Sequence, residues 1–180
     1  MSTALQTALP TGTWGTDKTH STANFAIKYM VSTFRSEFTD VDVKLDTTGD
    51  EPKLTGSVDP ASIQVKDENF HAHLQSPDFF DTENHPQITF ESTGFRVDGE
   101  DLVVDGNLTI KGETRPVEAR GTIGEPFEDP FGGTRVGITL EASVDRTHFG
   151  ISWNNPLPKG GLALADDVKL HVDLQLVKAA

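Results

Sequence analysis

The chain has 180 residues, no cysteine, and 28 acidic against 15 basic residues, for a formal charge of −13. That length fits one domain able to bury most of its apolar surface unaided, and the missing thiols exclude disulfides, thiolate catalysis and cysteine-ligated zinc. The acidic balance disfavours nucleic acid and the anionic face of a membrane, because both are polyanions.

The opening MSTALQTALPTGTW carries no Lys or Arg and no continuous apolar core, so it does not read as a secretory signal. Residues 1–12 are expected to form a flexible segment ahead of a single domain over 13–178, and the expected compartment is the cytoplasm. No window reaches the ~18 apolar residues that span a bilayer. No integral membrane segment is therefore expected.

Strand-period alternation dominates the remainder. Ala23, Phe25, Ile27, Tyr29 and Val31 put apolar groups on one face, with Asn24 and Lys28 on the other. Turn chemistry follows at Thr48-Gly49-Asp50, Asp98-Gly99-Glu100, Lys111-Gly112-Glu113 and Gly132-Gly133. Pro60 should sit at a bulge or edge, since it cannot donate to a ladder. One helix is predicted from Asp67 to Ser76: Asp67 is its N-cap, Phe70 and Leu74 share a face, and Pro77 stops it. A Pro-Asp-Phe-Phe-Asp corner and an apolar strand to Phe90 come next. Val136, Ile138, Leu140, Ala142 and Val144 alternate again, as do Val168, Leu170, Val172, Leu174 and Leu176. Between these two runs, Gly150 to Asp166 forms a long loop that carries Trp153, Leu157, Leu162 and Leu164. One-sided strands of this kind belong to an antiparallel sheet with one dry face. About eight of them close most simply into a barrel, with a two-sheet sandwich as the structural competitor.

The chemistry-bearing residues give little support for catalysis. His71 and His73 are two apart, which on a helix points them away from one another, so no metal site is expected. Asp17, His20 and Ser21 supply the residue types of a hydrolase triad, but five consecutive positions are better explained as a hydrogen-bonded turn. Asp78 and Asp81 flank two phenylalanines in a corner, where they more simply cap backbone donors. No Walker loop or dinucleotide fingerprint occurs, so no cofactor is expected and the chain does not read as an enzyme. The 11 phenylalanines fit two readings equally, a packed core or an apolar lumen closed by the helix.

The order of motifs resembles the YceI family of lipid-binding, lipocalin-like β-barrel proteins. The resemblance rests on Trp14-Gly15-Thr16-Asp17-Lys18-Thr19-His20-Ser21, His73-Leu74-Gln75-Ser76-Pro77-Asp78-Phe79-Phe80-Asp81, Pro86-Gln87-Ile88-Thr89-Phe90, Gly106-Asn107-Leu108-Thr109-Ile110-Lys111-Gly112 and Arg146-Thr147-His148-Phe149-Gly150. It implies an all-β fold, an extended eight-stranded antiparallel barrel with one short capping helix. It also implies a lumen for an isoprenoid-type lipid, either a polyprenyl chain or an isoprenoid quinone, to be bound, stored or transported. The lining residues it implies are Phe25, Ile27, Tyr29, Phe34, Phe38, Leu74, Phe79, Phe80, Ile88 and Phe90, with His20 and Asn24 as candidate headgroup contacts. Many relatives have an Arg-Asp pair where this chain has His71-Ala72, and a His where it has Tyr29. The alternative is a stress-related interaction module that uses the barrel as a scaffold and the Gly150 to Asp166 loop as its contact surface. An aromatic patch left outside the barrel would support a homodimer.

Overall fold

The computed structural model describes residues 1–180. Its strands are β1 (Thr13–Thr16), β2 (Thr22–Tyr29), β3 (Ser32–Phe38), β4 (Val41–Asp46), β5 (Lys53–Val58), β6 (Ile88–Asp98), β7 (Asp101–Ile110), β8 (Glu113–Ile123), β9 (Phe127–Glu128), β10 (Thr134–Asp145) and β11 (Leu164–Lys178). Two α-helices, α1 (Thr3–Ala8) and α2 (Glu68–Gln75), accompany them. The order β11-β1-β4-β5-β6-β7-β8-β10 returns to β11 through antiparallel pairs, so eight strands close into a barrel and the sandwich is excluded. Closure leaves no exposed ladder along the ring. No helix is long and apolar enough to cross a membrane.

The β2–β3 hairpin enlarges the wall on one side. β11 pairs with β2 from Leu164 to Asp173 and with β1 from Leu176 to Lys178. Ala23, Phe25 and Ile27 follow the inward alternation. Val31 does not, because the strand ends at Tyr29 and Met30-Val31 form the tip of the hairpin. The free edge of β3 meets residues 59–64 through the Phe38–Ile63 bridge and a 2.9 Å bond from the Gln64 N–H to the Glu37 carbonyl. Pro60 lies in this segment as the first residue of a short 3₁₀ turn capped by Asp59, not at a strand edge. There its fixed φ is already helical and its missing N–H has no bond to lose.

Helix α2 lies over that seam. The Asp67 carboxylate accepts from the Phe70 N–H at 2.9 Å, Leu74 is buried, and Gln75 donates from Nε2 to the Pro60 carbonyl at 3.1 Å. The cap stabilises the start of so short a helix by about 1 kcal/mol. At the opposite end of the barrel Trp14, Leu45, Leu102, Val104, Val136 and Leu176 pack into a solid layer. The 1–12 segment, expected to be flexible, contains α1 and buries Leu5 and Leu9 in the same core. Thr47 donates its hydroxyl to the Pro10 carbonyl at 2.7 Å and ties the segment down. Six residues are too few to hold a helix alone; here the Leu5 and Leu9 contacts with the barrel end supply the stability.

Candidate functional site

Between the packed layer and α2 the inward side chains leave a cavity of about 790 Å³. Phe25, Phe34, Phe80, Phe90, Val168, Leu170 and Val172 point inward yet remain only half-buried, because they face this space. Of the 39 residues around it, 31 are hydrophobic, which selects for an apolar guest. The mouth lies between the first turn of α2, the β2–β3 tip and the loop before β11. Asn69 and Phe70 touch the cavity there and are also exposed to solvent.

All ten side chains expected from the family resemblance line the cavity: Phe25, Ile27, Tyr29, Phe34, Phe38, Leu74, Phe79, Phe80, Ile88 and Phe90. Five rings run in unbroken contact from the mouth inward. Phe70 meets Phe34 edge-on at 5.4 Å, Phe34 meets Phe25 at 5.9 Å, Phe25 meets Phe38 at 5.6 Å, and Phe38 meets Phe80 at 5.8 Å. Such pairs add ~0.5–1.5 kcal/mol beyond their area burial, so the wall is stiff.

A second aromatic group holds the cap. The His73 ring stands edge-on to Phe79 at 5.0 Å and to Trp153 at 4.9 Å, while Phe79 and Trp153 lie 5.4 Å apart. The His73 Nε2 is 2.9 Å from the Asp78 carboxylate, which joins the last turn of α2 to the Pro-Asp-Phe-Phe-Asp corner. His71 instead points to the Ala61 carbonyl at 2.9 Å, so the two histidines diverge. The structure holds no group of three His, Cys, Asp or Glu side chains placed to bind a metal.

Arg146 anchors the loop that supplies Trp153. Its side chain is buried and donates to the carbonyls of Ala165 at 2.8 Å, Ile151 at 2.8 Å and Trp153 at 2.9 Å. Burial lowers the guanidinium pKa, which Asp166 and Asp145 oppose. The guanidinium is the one strong donor set that reaches both ends of the loop.

The two expected headgroup contacts differ in placement. His20 is exposed and bonded to Asp17 at 2.9 Å, in a turn outside the cavity. Asn24 alternates with the inward residues of β2 and its side chain reaches Thr22, yet it is among the residues that border the cavity. Asp17 is held well below the usual carboxylate range by His20 and then by the Arg135 guanidinium. Ser21 is occupied by the backbone of Gln175, donating to its carbonyl at 3.3 Å and accepting from its N–H at 3.0 Å. No nucleophile–base pair results.

Sequence reasoning passed over Phe70, Phe149, Trp153 and the β11 stripe of Val168, Leu170 and Val172, all of which line the cavity. The β11 alternation was visible in the sequence and could have placed its residues there. Trp153 could not be placed, because its position depends on the carbonyls that Arg146 gathers.

The YceI-like domain model matches residues 14–176, nearly the whole barrel. The chain belongs to the YceI-like family. The UPF0312 protein of Staphylococcus aureus is 35% identical over 168 residues, covering 88% of this chain and 94% of that one. Among solved structures, BcnA of Burkholderia cenocepacia superposes with a TM-score of 0.72 at 23% identity, covering 91% of this chain and 99% of that one. A polyisoprenoid binding domain from Saccharophagus degradans does so with a TM-score of 0.69 at 13% identity, covering 92% and 98%. In this YceI-like barrel the positions that depart from the expected pattern lie near the mouth: Tyr29 lines it, and His71 fastens α2 to the seam.

Proposed function

We propose that this YceI-like protein is a non-enzymatic carrier or store for an isoprenoid-type lipid, a polyprenyl chain or an isoprenoid quinone. The carrying observation is the cavity of about 790 Å³, apolar on nearly every side and open at one mouth. Its volume lies within the ~300–1,000 Å³ usual for ligand sites. An apolar cavity of ~150 Å³ holds one benzene ring, so this space accommodates a chain on the order of tens of carbons. Each buried CH₂ contributes ~0.8 kcal/mol, from which the cost of ordering a flexible chain is subtracted. Affinity of that origin needs few polar contacts, in keeping with a lumen lined mainly by hydrophobic residues. The likeness in fold to a polyisoprenoid binding domain supports the same ligand class.

Native mass spectrometry of protein purified from cells, before and after organic extraction, tests this reading. The expected result is a mass loss equal to one lipid recovered in the extract. Identical masses and a lipid-free extract would sink it.

A further inference from the structure

The chain's acidic residues are distributed unevenly. Twenty-eight are present in 180 residues, yet none occurs between Asp17 and Glu37 or between Asp145 and Asp166. The fold brings these two acid-free segments together at the mouth, where the Met30 N–H donates to the Ala163 carbonyl at 2.7 Å and Tyr29 pairs with Leu164. Both segments present apolar side chains to solvent: Met30 is 54% exposed, Val31 101% and Leu162 61%. In a two-residue hairpin turn a positive φ at the first loop position alone favours glycine there. Here Met30 adopts φ +50 at the tip.

Basic residues frame the same tip. Lys28, Arg35 and Lys159 are exposed. Arg35 makes no ion pair, whereas Arg96, Arg115, Arg120, Arg135 and Arg146 all do. The tip is also continuous with the cavity wall, since Tyr29, Phe34 and Leu164 line the cavity beside it.

The opposite end makes an instructive contrast. Phe127 and Phe131 are exposed there at 58% and 88%, but they lie among Glu125, Glu128 and Asp129. Apolar exposure is thus common to both ends; at the mouth Lys28, Arg35 and Lys159 lie beside it, and the nearest exposed acids are Asp67 and Glu68 at the start of α2 and Asp166 and Asp167 at the start of β11. The two ends of β11 are separated by roughly 45 Å at ~3.3 Å per residue. Fixed charge at that distance is screened at physiological salt, where the Debye length is ~8 Å. Charge at the far end therefore does not prevent the tip from meeting an anionic surface, which Lys28, Arg35 and Lys159 face beyond the acids of α2.

We propose that the Met30-Val31 tip and the Lys159–Leu162 segment dock the barrel mouth onto an anionic lipid bilayer. The apolar side chains would enter the interface while Lys28, Arg35 and Lys159 meet lipid phosphates. The purpose assigned to this contact, ligand exchange, rests on the carrier reading. The contact itself does not.

Cosedimentation of the full chain with equimolar phosphatidylcholine–phosphatidylglycerol vesicles, and with pure phosphatidylcholine vesicles, tests the proposal. The wild type should bind the anionic vesicles more tightly, and added salt should weaken that binding. K28Q with R35Q should lose about fivefold per charge on anionic vesicles and leave phosphatidylcholine binding unchanged. V31S with L162S should weaken binding to both vesicle types, while F127S with F131S should bind like the wild type. All of these positions are exposed, and circular dichroism checks each fold. Equal binding to both vesicle types, no binding to either, or wild-type binding by both tip variants would overturn the proposal. Native mass spectrometry of the same preparations separates the two readings. Vesicle binding without a co-purified lipid leaves docking standing and removes the carrier, and a lipid-loaded protein that ignores vesicles does the reverse.

Discussion

Arg146 donates from one guanidinium nitrogen, Nη1, to the carbonyls of both Ile151 and Trp153, at 2.8 and 2.9 Å. Two residues of the loop are thereby fixed from a single buried atom, and the Trp153 ring is delivered against Phe79 and His73. Without the guanidinium, three loop carbonyls lose their donor, each at ~1–3 kcal/mol less what water restores. Arg146→Met should therefore destabilise the fold by about 3 kcal/mol, lowering Tm by about 10 °C for a chain of this size. Arg146→Lys keeps the charge but not the planar fork, and should recover less than half of that loss. Thermal unfolding followed by Trp fluorescence measures both.

Gly106 and Phe90 form a second close relationship in the wall. A Cβ at position 106 would lie 2.3 Å from the Phe90 ring and 2.7 Å from the Glu91 carbonyl. Gly106→Ala should cost about 1–3 kcal/mol and push the Phe90 ring further into the cavity. Denaturant unfolding reads the stability. A stability within error of wild type would show that the ring moves freely and does not form part of a stiff wall.

Ala142 offers the complementary experiment, since it faces the cavity from β10 with only a methyl group. Ala142→Phe adds a ring to unfilled space, so the overpacking penalty of ~1–3 kcal/mol for a filled core does not apply. Stability should stay near wild type while the amount of lipid co-purified per protein falls. Unchanged lipid content would place the guest elsewhere.

His171 on the outer face supplies a pH dependence. Burial alone would lower its pKa, but Glu141 at 3.0 Å and Asp173 at 2.9 Å raise it above the ordinary 6.5. A raised folded-state pKa contributes stability that is complete below 6.5 and is lost as pH climbs through the folded value. Glu141→Gln with Asp173→Asn should bring the NMR titration midpoint of His171 down toward 6.5 and flatten that part of the stability profile. A midpoint that stays raised in the double variant would refute the carboxylate origin.

The barrel was legible because its information is local. Alternation at Val168 to Leu176 and at Val136 to Val144 needs only neighbouring residues, and the Asp67 cap and Pro77 stop bound the helix within a dozen positions. The cavity-facing phenylalanines followed from the same alternation together with the family resemblance. Three features escaped. Val31 continues the apolar pattern by one step, and only the chain reversal at Met30 turns it outward. Leu5 and Leu9 form too small a face to announce a helix, because their stability comes from the distant barrel end. His20 lies outside the cavity, because its ring is bonded to Asp17 in a turn that the strand alternation from Ala23 onward does not specify.

The plugged end, with Trp14, Leu45 and Leu176 sealed beneath Leu5 and Leu9, makes the barrel a blind tube. A linear guest has one route through it: tail leading on the way in, and tail trailing on the way out. Molecules bulky at both termini cannot thread such a tube, however apolar their middles are. Whatever polar group a guest carries must come to rest at the rim. Another protein could then act on that group while the hydrocarbon stays shielded from water.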